Sequence, residues 1–258
     1  MSYASVKGIN IFYESAGGDF LPLIVIHGAG GSSQSWSKQI SGLQKQGNLI
    51  VLDLPGHGKS GGSLLADISS MADFLNDFVQ TLGIEKFSLA GHSMGGAIAQ
   101  EFTLRYPGKV TGLILLGTGA RLRVGQGIID AAASGMFPFK NVDHLYGSAT
   151  SDEEKAKEMK ELQKIPANVF WADFQACNTF NRIDEVEKIQ VPTLILVGEE
   201  DVMTPVKYSQ FLADKLTNAN LRIIKESGHM CMQEKATEVN AAIRNFLENL
   251  TSYESTDV

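Results

Sequence analysis

Residues 91–96 read Gly-His-Ser-Met-Gly-Gly, directly after the short apolar run KFSLA. A serine hydroxyl is a poor nucleophile until a base takes its proton and donors receive the negative charge its attack creates. The G-x-S-x-G spacing meets the first geometric condition, a sharp strand-to-helix turn that closes only where the residues two before and two after the serine are small, here Gly91 and Gly95. Such a turn exposes the Ser93 hydroxyl at the carboxyl end of a strand. It also aims the hydroxyl toward a helix N-terminus, whose unpaired N–H groups favour developing negative charge.

The base must be a histidine on a loop that can swing over this turn. Of His27, His57, His92, His144 and His229, only His229 follows the last apolar run (LRIIKESG) and precedes the last helical segment. His27 and His57 lie in glycine-rich turns and are read as fixing loop geometry, His92 is inside the turn itself, and His144 stands alone in a later insertion. The imidazole needs a buried carboxylate to hold its tautomer. Asp201 ends the run LILVGEED, with Glu199 and Glu200 as close rivals, while the run LILLGTGA, the other place for such an acid, carries no carboxylate. Two N–H donors should meet the oxyanion: the amide of Met94, and one from HGAGG, for which Ala29 is the choice and Gly30 the alternative. Neither HGAGG nor DLPGHGKS has the spacing of a nucleotide-phosphate loop.

These side chains must be positioned by regular elements. Apolar runs rich in β-branched residues recur as LPLIVI, NLIVLDL, KFSLA, VTGLILL, VPTLILV and NLRII, each closed by small residues, which is the pattern of buried parallel strands. Helical periodicity fills most gaps between them, over Trp36–Gln46, Leu65–Leu82, Gly95–Tyr106 and Pro205–Leu216, with Ala236–Leu250 after the last. An N-terminal pair around Gly8 reads as an antiparallel hairpin. The alternation predicts an α/β chain with a mostly parallel, doubly wound sheet flanked by helices. It breaks between LILLGTGA and VPTLILV, where helices are expected at about Gly125–Gly135, after the capping box SDEE at Ser151–Glu154, and from Pro166. The expected organisation is therefore a core of residues 1–124 and 184–258, with a helical cap, 125–183, inserted after the sixth strand. The charge run SDEEKAKEMK is read as a solvated helix face with a Glu153–Lys157 pair and no chemistry of its own. The tail TSYESTDV is read as frayed.

Composition narrows the function. With 258 residues, 43% of them hydrophobic, the chain buries a sizeable core. A formal net charge of −7 without long like-charge runs argues against nucleic acid. Two cysteines, Cys177 and Cys231, lack any ligand-like spacing, so no disulfide scaffold, metal or cofactor is expected. The N-terminus has no secretory signal pattern and no segment is long and apolar enough for a membrane span, so the expected location is the cytoplasm.

The stretches HGAGGSSQSW, DLPGHGKS, GHSMGGAIAQ, PTLILVGEEDVMTP and ESGHMCMQEKATEVNAAIRNFL together resemble the α/β-hydrolase fold family, in particular its small carboxylesterase, enol-lactonase and cofactor-free haloperoxidase-like group. The resemblance covers nearly the whole chain. It implies Ser93 as nucleophile, Asp201 as acid, His229 as base, and Ala29 and Met94 as oxyanion donors. It sets aside the relatives with aspartate or cysteine at the elbow, and HGAGGS lacks the proline of the HGxGPG pattern frequent in carbon–carbon bond hydrolases. Ala236 stands where the family often has proline, at a helix start remote from the chemistry.

The reading is a serine hydrolase of a carboxylic ester with a small, largely apolar substrate; a lactonase, thioesterase or C–C hydrolase shares the same parts, and a non-catalytic small-molecule binder is the rival class. Gly30, Met136, Phe137, Phe139, Trp171 and Phe174 are the expected substrate-contacting residues, together with Phe170 and Phe180. The competing reading is that most of these aromatics merely pack the cap onto the core. Arg121 and Arg123 are read as solvated, with capture of an anionic substrate as the alternative.

Overall fold

The structure, a computed structural model, describes residues 2–17, 21–44 and 48–254, for 251–254 the backbone alone. Eight strands form one sheet: β1 (Ser2–Val6), β2 (Ile9–Ala16), β3 (Leu23–Ile26), β4 (Leu49–Leu52), β5 (Phe87–His92), β6 (Val110–Leu116), β7 (Thr193–Gly198) and β8 (Ala219–Ile224). Their order across the sheet is β1-β2-β4-β3-β5-β6-β7-β8. β1 and β2 form the hairpin, β2 runs antiparallel to β4, and every other pairing is parallel. Lys7 and Gly8, both at positive φ, make the tight turn whose twist suits a two-residue hairpin.

β3 shows why the central strands read as unbroken apolar runs. Its side chains alternate, Ile24 and Ile26 joining the core on one face and Leu23 and Val25 the core on the other. On the first face lie α2 (Ile68–Thr81) and α3 (Met94–Arg105); on the second, α1 (Ser37–Leu43) packs on α9 (Ala236–Glu254). The helix expected from Leu65 starts at Ile68, because Asp67 caps it by accepting the Ser70 N–H at 2.8 Å. The helix expected over Trp36–Gln46 is a 3-10 turn (Ser33–Trp36) followed by α1; Gln46 and the end of the tail lie outside the described residues.

Between β6 and β7 stand α4 (Gln126–Ala133), α5 (Asp152–Leu162) and α6 (Ala167–Thr179). Ser151 and Glu154 form the capping box of α5. The expected Glu153–Lys157 pair is absent from the ion pairs among the described residues, and Lys155 meets Asp143 at 3.8 Å instead. The insertion leaves and rejoins the core side by side: Arg121 bridges Asn181, and the Arg182 N–H donates to the Ala120 carbonyl at 2.7 Å. The guanidinium of Arg182 then grips the nearly buried Glu101 of α3 at 2.7 and 3.0 Å. α7 (Val206–Lys215) connects β7 to β8, and the short α8 (Cys231–Glu234) precedes α9.

β3 and β5 are neighbours although the chain leaves β3 toward β4 on the opposite side. The strand order reverses here, which is where open parallel sheets bind ligands at their carboxyl ends. Gly95 lets the elbow seat against β3: a Cβ there would sit 2.5 Å from the Ile26 carbonyl oxygen and 2.6 Å from that of His27. Gly95→Ala should cost roughly 1–3 kcal/mol in urea unfolding, since backbone lies on the blocked side. Gly127→Ala, in α4 with no atom in reach, should be neutral or stabilising by up to about 1 kcal/mol. Equal stability of the two variants would contradict this picture of the elbow.

Candidate active site

β5 ends at His92, and Ser93 follows with φ 53° and ψ −115°, a left-handed conformation that costs a non-glycine residue about 1–3 kcal/mol. Hydrogen bonds hold it there. The Ser93 N–H donates to Leu116 O at 2.9 Å, and the Ser93 carbonyl accepts from Gly96 N, Ala97 N and the Thr118 hydroxyl at 2.9–3.2 Å. Met94 opens α3, so its N–H has no acceptor within the helix.

The loops after β7 and β8 carry Asp201 and His229. Asp201 Oδ2 lies 2.9 Å from His229 Nδ1, with both side chains almost fully buried. The remaining capacity of the carboxylate is filled by the N–H groups of Met203 and Thr204 on Oδ1 and by the Thr204 hydroxyl on Oδ2, at 2.8–2.9 Å. Burial alone would raise the Asp201 pKa, but the His229 imidazole and these donors outweigh it and hold the carboxyl below its usual range. Glu199 and Glu200 do not reach the imidazole. Glu200 points to Ser148, accepting its N–H at 2.7 Å and its hydroxyl at 2.9 Å, and Glu199 is exposed. The run LILLGTGA, which has no acid, supplies room instead: Gly117, at φ 48°, lies against both Asp201 and His229, and a Cβ would stand 3.2 Å from each.

The two other histidines at the elbow hydrogen-bond to backbone groups. His92 Nε2 meets the His229 carbonyl at 2.9 Å, anchoring that loop, and burial with the nearby His229 pushes its pKa down to about 3. His27 accepts the Leu54 N–H on Nε2, so its Nδ1 carries the proton and donates to Gly28 O at 2.8 Å; burial and His57 push its pKa to about 3. Residues 28–31 form a tight turn closed by Gly31 N to Gly28 O at 3.0 Å, with Gly30 at φ 66°.

Ser93, His229, Ala29 and Gly30 open on one cavity of about 580 Å³ under the insertion. Its apolar wall is Phe139, Phe170, Phe174, Leu145, Leu162 and Ile165, with Met203 and Met230 from the core. Of the aromatics expected to contact substrate, Phe139 and Phe174 line this cavity, as does Phe170. Four expectations need correction. Trp171 is 41% exposed because α6 turns positions 170 and 174 inward and 171 outward. Met136 is 60% exposed beside a separate, shallower hollow, and Phe137 lines that hollow while packing edge-on against Phe139 and Phe170. Phe180 belongs to the main core, and Arg121 and Arg123 are exposed away from the cavity. Gly30 lines it, but its N–H donates at 2.7 Å to Asp173 of α6 and so is not free for an oxyanion.

Sequence reading overlooked several groups. Lys157 and Glu158 of the charge run and Glu161 just after it, with Lys38 of α1, rim the cavity. Glu234 accepts the N–H groups of Gly147 and Gly228 and the Thr150 hydroxyl at 2.7–2.8 Å, tying the insertion to the His229 loop. Asp173 is fully buried and meets His57 Nε2 at 2.9 Å. An aspartate inside the apolar stretch VFWADF was the available signal. His144 lies tilted against Phe139 with ring centres 4.9 Å apart, and burial lowers its pKa.

Residues 22–236 match the family described as Hydrolase_4: Serine aminopeptidase, S33, so the chain belongs to this family and is an α/β-hydrolase. Among relatives, it is 26% identical to the dihydrolipoyllysine-residue acetyltransferase component of an acetoin cleaving system from Cupriavidus necator, over 95% of this chain and 68% of that protein. It is 25% identical to a putative carbamate hydrolase RutD from Caulobacter sp. (strain K31), over 96% and 98%. Among solved structures, a thermophilic esterase superposes with a TM-score of 0.81 at 29% identity, over 96% of this chain and 97% of that one. Among the described residues, no helix is long and apolar enough to cross a membrane.

The His57–Asp173 contact makes stability depend on pH. Burial disfavours charge on His57, but the Asp173 carboxylate and the Pro55 carbonyl, 3.0 Å from Nδ1, outweigh it and raise its pKa above the ordinary value. A raised folded-state pKa contributes stability that is fully present below about pH 6.5 and lost as pH rises through the folded value. Urea unfolding of the wild type should therefore decline relative to His57→Gln above pH 6.5. Parallel curves through that window would show an uncharged His57.

Proposed function

We propose that this hydrolase cleaves carboxylic esters of small, largely apolar substrates through an acyl-enzyme. The observation that carries the reading is the 2.9 Å contact between Asp201 Oδ2 and His229 Nδ1, made in the wall of the cavity onto which Ser93 opens. Asp201 accepts the Nδ1 proton and so leaves the Nε2 lone pair of His229 to take the Ser93 proton as Oγ attacks the ester carbonyl. The tetrahedral oxyanion is received by the N–H groups of Ala29 and Met94. Collapse expels the alcohol, which takes the proton from His229 Nε2; water, deprotonated by the same nitrogen, then frees the acid and restores Ser93. All of these groups come from the chain itself.

The substrate reading rests on the Phe139, Phe170 and Phe174 wall, which suits an apolar acyl or alcohol group. Residues 125–183 act in this reading as a cap that closes the apolar pocket over the site and limits which substrates enter. The likeness to the thermophilic esterase favours an ester over the carbamate that names the Caulobacter relative. The same machinery opens a lactone or thioester, so a panel of p-nitrophenyl esters, lactones, thioesters and carbamates tests the ester preference.

A fluorophosphonate should label Ser93 and abolish turnover, and Ser93→Ala should lose on the order of 10⁴-fold or more in kcat while remaining folded. Asp201→Asn should lose roughly 10⁴-fold, and Glu200→Gln less than about tenfold. Labelling at another serine, or a crippled Glu200→Gln beside an active Asp201→Asn, would overturn the assignment.

Phe174→Ala should shift the preferred acyl length, changing the rate ratio of hexanoate to acetate esters by about tenfold or more, whereas Trp171→Ala should leave that ratio within about twofold. Equal ratios for the two variants would remove Phe174 from the substrate wall.

A further inference from the structure

The backbone of residues 28–31 is held from two sides, by different parts of the molecule. The Gly28 carbonyl accepts both the Gly31 N–H at 3.0 Å and the His27 Nδ1–H at 2.8 Å. In a trans peptide the Ala29 N–H points opposite to that carbonyl, so these two bonds aim it, and the one from Gly31 exists only while the turn stays closed. The next plane, between Ala29 and Gly30, is the middle peptide of a tight turn. This is the unit that reverses when a turn changes between a negative and a positive φ at its third residue. Here the third residue is Gly30 at φ 66°, and its N–H donates to Asp173 Oδ2 at 2.7 Å.

Asp173 belongs to α6, in the insertion, and its carboxylate is fully buried. The same Oδ2 accepts from His57 Nε2 at 2.9 Å, while His57 Nδ1 lies 3.0 Å from the Pro55 carbonyl. With an acceptor on each ring nitrogen, His57 is a double donor, and the carboxylate is locked between it and the Gly30 amide. Phe170, one turn earlier on α6, covers Gly30 so closely that a Cβ at residue 30 would overlap its ring. The insertion therefore touches the turn through apolar packing on Ala29 and Gly30 and through one buried carboxylate, and only the carboxylate dictates which way the middle peptide faces.

We propose that Asp173 is a positioning residue for the reaction: through the Gly30 amide it selects the turn conformation that keeps the Ala29 N–H aimed at the oxyanion, with His57 anchoring its carboxylate. The inference rests on the hydrolase reading above. It makes α6 part of the oxyanion machinery as well as part of the substrate wall. A misplaced donor weakens the transition state and leaves ground-state binding nearly untouched, so the loss falls on kcat.

Two variants separate positioning from structural support. His57→Leu/Asp173→Leu removes the acceptor without stranding a buried charge, a replacement that folded proteins often tolerate. Asp173→Asn keeps a carbonyl oxygen able to accept the Gly30 N–H. Each protein is first titrated with a fluorophosphonate, so that kcat refers to competent sites only. The double variant should lose about 30- to 100-fold in kcat on p-nitrophenyl acetate with KM within about threefold, somewhat less than deletion of an oxyanion donor. Asp173→Asn should recover kcat to within about tenfold of wild type. A double variant with wild-type kcat, one that changes KM alone, or an asparagine variant as impaired as the double would each overturn the proposal. If wild-type Ser93 does not react with the phosphonate at all, the hydrolase reading itself has failed, which is a different result.

Discussion

An imidazole can serve a neighbouring hydroxyl only while its second nitrogen is held, and the contact between Asp201 and His229 imposes that condition on the rest of the molecule. The two residues sit on loops leaving β7 and β8, so the strands must be parallel neighbours whose carboxyl ends emerge together. Both loops are held by hydrogen bonds. Asp201 is held by amides and a hydroxyl of residues 203–204, and the backbone of His229 by the ring of His92 from the elbow. The carboxylate thus stays ionised although buried, because every favourable donor near it points inward. Gly117 completes the arrangement by leaving space where any side chain would push the pair aside.

A second set of carboxylates does for the insertion what the first does for the histidine. The insertion meets the core through the Phe170 and Phe174 cluster, but apolar contact is indifferent to small shifts in register. Direction comes from carboxylates: Glu101 to Arg182 at the neck, Glu234 and Glu200 to the segment 147–150, and Asp173 to His57 and Gly30. Each crosses between core and insertion. Unpaired buried carboxylates are expensive, so the Glu101 and Asp173 contacts favour the docked arrangement.

What the sequence made legible follows from how far apart the informative residues stand. The elbow lies within five consecutive residues, and its chemistry is a local steric demand that Gly91 and Gly95 meet by lacking side chains. The alternation of strands and helices was equally local. The insertion was harder, since VFWADF is apolar on every side, and a helix buried on more than one face has no period from which to tell Trp171, outside, from Phe174, inside. Polar α5 failed in the opposite way: with no buried residue to fix its orientation, Lys157 and Glu158 looked identical to their solvated neighbours until the tertiary fold turned them to the cavity rim.

The distribution of histidines carries the same lesson into electrostatics. Four of the five are packed around the carboxyl ends of the strands, the rings of His27 and His57 tilted against each other with centres 4.9 Å apart and those of His92 and His229 at 4.6 Å, a concentration that would be untenable if all were charged. Burial resolves the conflict by keeping His27 and His92 neutral, with pKa values of about 3, so that each serves as a fixed hydrogen-bonding wedge. Their partners each face a carboxylate, His57 toward Asp173 and His229 toward Asp201. One member of each ring pair is therefore neutralised by desolvation while the other is given an acid. The outcome is two imidazole–carboxylate pairs: one faces the cavity with its carboxylate on the core, and the other draws its carboxylate from a helix of the insertion. Exposure of the ring to the cavity, more than the pairing itself, is what distinguishes an imidazole suited to move protons from one suited to hold a loop.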